Sequence, residues 1–511
     1  MQNYKINYGD AVINDGLFLR RQDKPPAAKI SYIDGQGGFF HHLSTFPDRS
    51  TIKEEIIELL KTAKRNVFFA NFLIQDDEIT HNLIQAAERL HGHVYVLTTL
   101  KEQDFNSVFE SEAKEDGDGG SFLEHFDHIR QLTSKGISVR ARKDCHAKFM
   151  TVDDKYALVT SANAATTCYG DTTHKNGKIR HANSENGVLL TLPSEVGRLA
   201  NFFRGIWRSG YNYYVSPDSK TFEVGERTKD IISCSCKEPL QLAEEGQILW
   251  TAPDDLRILS ALTGMIDRAE RKIRISSWVI KGISNHVLGE TLKAAAKGGV
   301  EINILVRGIS RSDHRQSCYW LKKTLGDQVT ILGDYKNHSK AVVVDKAEAM
   351  VMTANLDAQH GLDSGVEIAF SSRETAFVKA VSAFLDKLEK DAELEFIIDP
   401  TQSQAAERAW VWGKSVPWKD IHMHIGRKCR IMPRQLQKLV DALKTQLVKV
   451  ANDGKDGKGL MHLISNDLIV DCIANDAGRL TVLNVKDDSW AASRAKFDCF
   501  LPRSTITITA D

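Results

Sequence analysis

His146-Ala-Lys-Phe-Met-Thr-Val-Asp153 and His338-Ser-Lys-Ala-Val-Val-Val-Asp345 share one pattern, His-x-Lys-x4-Asp, 192 residues apart. Each is followed, 17 residues after its histidine, by an asparagine: Ser161-Ala-Asn163 and Thr353-Ala-Asn355. A glutamate then opens the next apolar run, Glu185 before Asn-Gly-Val-Leu-Leu and Glu367 before Ile-Ala-Phe. Side chains alternate faces along a strand, so His146 and Lys148, or His338 and Lys340, are expected to emerge on one side. The apolar residues up to Asp153 or Asp345 would fill the core behind them. One such match arises ~0.1 times by chance in a chain of this composition, and a lone histidine of this kind reads as a satisfied core residue. Two matches with one asparagine spacing are a different matter when they fall inside a repeat.

The repeat is visible without the motifs. Ala63-Lys-Arg-Asn-Val-Phe-Phe-Ala-Asn-Phe-Leu-Ile74 resembles Ala269-Glu-Arg-Lys-Ile-Arg-Ile-Ser-Ser-Trp-Val-Ile280, each preceded by a helical pattern and followed by a second helix and strand. Strands alternating with helices predict α/β units with a mostly parallel sheet. The offset between copies is 206 residues at Ala63/Ala269 but 192 at His146/His338, so the first copy carries 14 more residues. The acidic, glycine-bearing stretch Glu110 to Gly120 falls there and reads as an added surface loop. The expected division is an N-terminal extension over 1–50, a first lobe over 51–215, a connector over 216–245, a second lobe over 246–400 and an α+β accessory domain over 401–511.

Composition excludes rather than selects. The 511 residues hold 67 Lys+Arg against 67 Asp+Glu, so no global field drives the chain onto nucleic acid or anionic lipid. No apolar run approaches the roughly 18 residues of a membrane-spanning helix, and from Met1-Gln-Asn-Tyr-Lys5 no secretory signal is expected. Eight scattered cysteines read as reduced thiols, and the cytoplasm is the expected compartment. Nothing in the residues calls for a cofactor, and no acidic cluster has metal-ligand spacing.

The paired motifs resemble those of the phospholipase D superfamily over about residues 50 to 400. The resemblance implies two α/β/α lobes facing each other about a pseudo-twofold axis, forming a pseudo-dimer in which both motifs meet at one site. It implies a metal-independent phosphodiesterase with a phosphohistidine intermediate. His146 is expected as nucleophile and His338 as general acid. Lys148, Lys340, Asn163 and Asn355 would hold phosphoryl oxygens, and Glu185 and Glu367 would orient the imidazoles. Asp153 and Asp345 complete the site set and are expected to organise strand ends more than to touch substrate.

For the substrate, two basic regions weigh. The loop Thr166 to Ser184 carries Lys175, Lys178 and Arg180 between two site residues. Residues 410 to 450 hold nine Lys/Arg, Arg427, Lys428 and Arg430 among them, against Asp420 and Asp441, with Trp410, Trp412 and Trp418 at the start. Cations near aromatics suit a nucleic-acid strand, so a nuclease with a nucleic-acid partner is the expectation. The alternative is a peripheral phospholipase D or phosphatidyltransferase with phospholipid as partner.

Overall fold

The computed structural model describes residues 32–99, 122–173, 182–209, 246–308 and 312–397, with strand segments at 2–6, 17–20, 179–180, 211–215, 222–224, 408–411, 414–417, 460–465, 468–474, 480–487, 500–501 and 506–510. The acidic stretch 110–120, Lys175, Lys178, Trp412, Trp418 and the whole of 418–459, with Arg427, Lys428 and Arg430, lie outside the described residues.

Among the described residues each lobe holds a ten-stranded sheet, and the two sheets run in matching order. In the first, Ser138–Ala141, Val94–Thr98 and Val67–Ala70 are mutually parallel; Phe149–Val152, Tyr156–Thr160, Glu185–Leu190 and Phe40–Phe46 follow antiparallel. In the second, Val329–Asp334, Glu301–Arg307 and Lys272–Ser276 are parallel, and Ala341–Val344, Glu348–Met352, Glu367–Ser372 and Gln247–Ala252 follow antiparallel. The sheets are thus mixed rather than mostly parallel. The reason is local: in each copy the motif strand and its successor are joined by a tight turn, which permits only antiparallel pairing.

That turn is made by the motif aspartates. Asp153 and Asp154 have φ of 59° and 55°, Asp345 and Lys346 of 53° and 57°. With Lys155 N donating to Val152 O and Ala347 N to Val344 O, these are type I′ turns. Asparagine and aspartate tolerate this left-handed backbone better than other chiral residues.

The N-terminal segment does more than lead in. Phe40–Phe46 sits inside the first sheet, in the place that Gln247–Ala252 takes in the second, and Leu17–Arg20 pairs with Leu394–Ile397 at the edge of the second. Strands between Leu460 and Leu501 form a further antiparallel sheet, and Gln2–Ile6 pairs with Ile506–Ala510.

The helices Thr51–Thr62 and Asp77–Arg89, capped by the side chains of Ser50 and Asp76, cover the outer face of the first sheet together with Phe122–Ser134. Arg257–Asp267, Val287–Lys297 and Ser312–Leu325 cover the second. The remaining two, Pro193–Arg208 and Thr375–Asp391, lie in one core shared by both lobes. There Phe202 stacks on Trp250 at 5.1 Å, and Phe40 meets Phe377 edge-on at 5.3 Å. These lobes are packed as one body around that shared core.

Candidate functional site

Where the two sheets meet, the segments before each motif strand cross to the other lobe. His146 N donates to Val366 O at 3.1 Å and Val366 N to Asp144 O at 2.7 Å; in the other half, Ser184 N donates to Lys336 O at 2.7 Å and His338 N to Ser184 O at 3.1 Å. Residues 146–148 and 338–340 therefore stand just before their strands, which begin at Phe149 and Ala341. This corrects the expected placement on the strand: the backbone N–H groups of His146 and His338 are engaged by the opposite lobe, while Lys148 O and Lys340 O accept from Thr160 N at 3.0 Å and Met352 N at 3.1 Å on the next strand of their own copy. The histidine and lysine still share a side, since Lys148 Nζ donates to His146 O at 2.7 Å and Lys340 Nζ to His338 O at 2.9 Å.

The same crossing sets the carboxylates. His146 Nδ1 lies 2.7 Å from Glu367 Oε1, and His338 Nδ1 lies 2.6 Å from Glu185 Oε1. Each histidine is paired with the glutamate of the other copy, so neither half holds a complete pair. The second oxygen of Glu185 accepts from Ser161 Oγ and that of Glu367 from Thr353 Oγ1. Those hydroxyls in turn accept from Asn186 N at 3.0 Å and Ile368 N at 2.9 Å, which locks both carboxylates. Burial alone would raise the Glu185 carboxyl; the charges of His338 and Lys340 and the hydrogen bonds from His338 and Ser161 hold it below its ordinary value. It is therefore a buried anion suited to a Nδ1–H donor and to an imidazolium.

The two halves differ in access. The His146 side chain is 19% exposed, that of His338 0%. A cleft of about 840 Å³ opens on His146 and is walled by Phe72, Lys143, Trp278, Lys281 and Asn355. Asn355 Oδ1 has no hydrogen-bond partner among the described residues, an open buried amide of the sort a ligand completes. Lys148, Lys340, Asn163, Glu185 and His338 lie fully buried behind the cleft wall. Phe72 meets the His146 ring at 4.8 Å and Trp278 the His338 ring at 5.8 Å, both edge-on.

Asp153 and Asp345 stand at the far ends of the motif strands from the histidines. The Asp153 carboxylate accepts from the backbone N–H of Lys64, Arg65 and Asn66, and Asp345 from Glu270, Arg271 and Lys272. Each ties the motif hairpin to the backbone that leads into the neighbouring strand, Val67–Ala70 in the first copy and Lys272–Ser276 in the second. Arg180 lies in the short strand Ile179–Arg180, paired with Thr172–Thr173.

Several contributors were not singled out from sequence. Ser161 and Thr353 stand eight residues after each motif aspartate, a repeat signal that was readable. Phe72 and Trp278 share the 206-residue offset. His125 and His314, both buried, hold Ile74 N at 2.9 Å and Ile280 N at 3.1 Å, and burial pushes His125 down to about 4. Asn186 bridges the lobes through Lys340 N at 3.0 Å and Lys340 O at 3.2 Å, a contact only the assembled fold reveals.

A family model described as "Cardiolipin synthase, PLD-like domain" matches residues 56–207 and 262–389. A cardiolipin synthase of Clostridium perfringens (strain 13 / Type A) is 21% identical over 319 residues, 61% of this chain and 62% of that protein. One of Staphylococcus aureus (strain Mu50 / ATCC 700699) is 23% identical over 384 residues, 72% of this chain and 70% of that one. The chain thus spans 62% of the length of the first of these relatives. The crystal structure of phosphatidylserine synthase of Haemophilus influenzae Rd KW20 superposes with a TM-score of 0.51 at 13% identity, covering 84% of this chain and 98% of that one, a likeness of fold. These matches overturn the expectation of a nuclease and of a nucleic-acid partner, since the relatives carry the names of phospholipid-forming enzymes. The physical reason is that cations near aromatics meet any phosphodiester, and the 410–450 stretch that favoured nucleic acid lies outside both matched segments. Among the described residues no helix is long and apolar enough to cross a membrane. With both motifs, the crossed carboxylates and the doubled sheet in place, the chain belongs to the phospholipase D superfamily, in the family of PLD-like domains described for cardiolipin synthase.

Proposed function

We propose that this chain transfers phosphatidyl groups between alcohols at a membrane surface, with water as a competing acceptor. The observation that carries this reading is the pair of crossed histidine–glutamate contacts around one cleft, at 2.7 and 2.6 Å. The names of the relatives supply the substrate class.

His146, the histidine open to the cleft, attacks phosphorus through Nε2 while Nδ1–H is held by Glu367. The P–O bond to the departing alcohol breaks, and His338 delivers its Nε2 proton to that oxygen. An incoming alcohol then gives its proton to His338 as its oxygen attacks phosphorus and releases His146. Lys148, Lys340, Asn163 and Asn355 neutralise and position the phosphoryl oxygens, the work a metal ion does elsewhere. Phosphoryl transfer requires little else from a protein than such positioning. Lys175, Lys178 and Arg180, between two site residues in sequence, are assigned to the anionic headgroup, and Arg427, Lys428 and Arg430 to the anionic lipid surface, where each cation contributes about 1 kcal/mol.

The test is transfer from phospholipid vesicles to added 1-butanol with excess EDTA present. Formation of phosphatidylbutanol, lost in His146→Ala, is the expected result. No transfer and no lipid hydrolysis under any lipid composition would remove the reading.

A further inference from the structure

Beside the second histidine, three side chains of ligand type converge: Cys168, Glu185 and His338. One ligand atom of each lies within 4.8 Å of the other two, all three residues are buried, and among the described residues this is the one group of its kind. Cys168 closes the 3-10 turn Thr166–Cys168, five residues after Asn163, and Asn183 Nδ2 lies 3.9 Å from its Sγ. The corresponding position in the second copy, five after Asn355, is His360, which is exposed. The group therefore belongs to one half of the pseudo-twofold only.

We propose that Cys168, Glu185 and His338 bind a thiophilic divalent cation of the zinc type, and that its binding switches off the second histidine. In a tetrahedral site with Zn–S, Zn–N and Zn–O bonds of ordinary length, neighbouring ligand atoms stand about 3.3–3.6 Å apart, so Cys168 Sγ needs to approach by no more than about 1.3 Å while the His338–Glu185 pair opens by about 0.7 Å. The ion takes the place of the proton between His338 Nδ1 and Glu185 Oε1, now 2.6 Å apart. Binding releases that proton and the Cys168 thiol proton, because thiolate and neutral imidazole are the ligands. The Lys340 ammonium, 3.4 Å from His338 Nδ1, would oppose a bare dication. Thiolate and carboxylate together cancel the ion's two charges, so Lys340 faces a near-neutral centre. With Nδ1 on the metal, Glu185 no longer supports an imidazolium, and His338 can neither give nor take the proton that each transfer step needs. Magnesium and calcium, which prefer oxygen ligands, are not held by such a set.

The inhibitory half rests on His338 working as described under Proposed function; the binding half does not. The full chain, stripped with EDTA, is titrated with Co2+ and then Zn2+, following thiolate-to-cobalt charge-transfer absorption, thermal unfolding and steady-state turnover. The wild type is expected to take one equivalent of Co2+ with a thiolate band, to unfold at higher temperature with Zn2+, and to lose turnover by on the order of 10²-fold. Mg2+ should do none of this. Cys168→Ser and Cys168→Ala, which leave the reacting groups in place, should turn over as the wild type does and lack the band. They should also require roughly 100-fold more Zn2+ for inhibition. A wild type without the band, or Cys168 variants with undiminished band and inhibition, would overturn the site. A band with full turnover would overturn the switch and remove His338 from the reaction. A stripped chain that turns over no lipid defeats the proposed function, while the cobalt band still decides the site.

Discussion

At the scale of single residues, the crossed pairs make the two glutamates chemically distinct. Glu367 serves the histidine open to the cleft and Glu185 the one sealed behind it. Glu367→Gln keeps shape but removes the charge that orients His146, and kcat should fall about 10²–10⁴-fold in both formation and release of the intermediate. Glu185→Gln should leave the first burst of p-nitrophenolate from bis-p-nitrophenyl phosphate, because that leaving group needs no proton, yet slow steady-state turnover to a similar degree. Rapid-quench measurement of the burst separates the two; equal loss of the burst in both variants would contradict the role assignment. A second residue-scale case is Asp345. Burial pushes its carboxyl up, but the backbone N–H groups of Glu270, Lys272 and Arg271 and the Arg271 charge hold it below its ordinary value. A carboxyl lowered in the folded state supports the fold above its unfolded pKa of about 3.9, and that support disappears as pH falls through the folded value. The stability gap between wild type and Asp345→Asn should therefore be full at neutral pH and close below about pH 4. Asp345→Ala, which also strains alanine at φ 53°, should lose about 2–3 kcal/mol by denaturant titration at neutral pH.

Among the elements, the π-helical turn Ala358–Leu362 is the piece most closely tied to the cleft. Asp357 starts it by accepting from Gln359 N at 3.0 Å and His360 N at 3.2 Å. Single π turns inside other structure often sit at functional sites. Here the reason is close approach: a Cβ on Gly361 would lie 2.5 Å from Asn355 O and 3.2 Å from Asn355 N. Those are backbone atoms of a residue in the cleft wall and cannot yield as a flexible side chain does. Gly361→Ala should destabilise by about 1–3 kcal/mol and lower kcat by up to roughly 10²-fold through displacement of Asn355. Thermal unfolding and kcat measured on the same preparation check this, and a variant with wild-type turnover would show that Asn355 has not moved.

For the molecule as a whole, the shared core and the crossed glutamates bear on one question: what a single copy could do alone. The two inner helices bury their aromatics against the opposite lobe, as Phe202 on Trp250 and Phe377 on Phe40 do. A chain cut in the 216–245 segment should give halves that are aggregation-prone and inactive when made separately, and that regain lipid transfer when produced together. Turnover by either half alone would mean that the crossed pairs are dispensable. The charges of the C-terminal region belong to this scale as well. Reversal of Arg427, Lys428 and Arg430 to Glu should weaken binding to anionic vesicles by at least about 100-fold and flatten its salt dependence, at about 1 kcal/mol for each cation near the surface. Hydrolysis of a small chromogenic phosphodiester should be unchanged, and a sedimentation assay with vesicles measures the difference.

The repeat, the two motif sets and the membership of one superfamily follow from residue order alone, because His-Lys-Asp spacing and the 17-residue step to asparagine are set by the length of one hairpin and its successor. The reading of the aspartates as organisers of strand ends also lies in local chemistry, since a type I′ turn needs residues that accept positive φ. Three things do not. Which glutamate serves which histidine depends on contacts across 221 and 153 residues, made only when the sheets face each other. The departure of His146 and His338 from the strands comes from backbone groups of the opposite lobe, which no local pattern records. The inequality of the two histidines, one at the cleft and one sealed, was illegible in two nearly identical motifs, because exposure is a property of what packs over a residue and not of the residue.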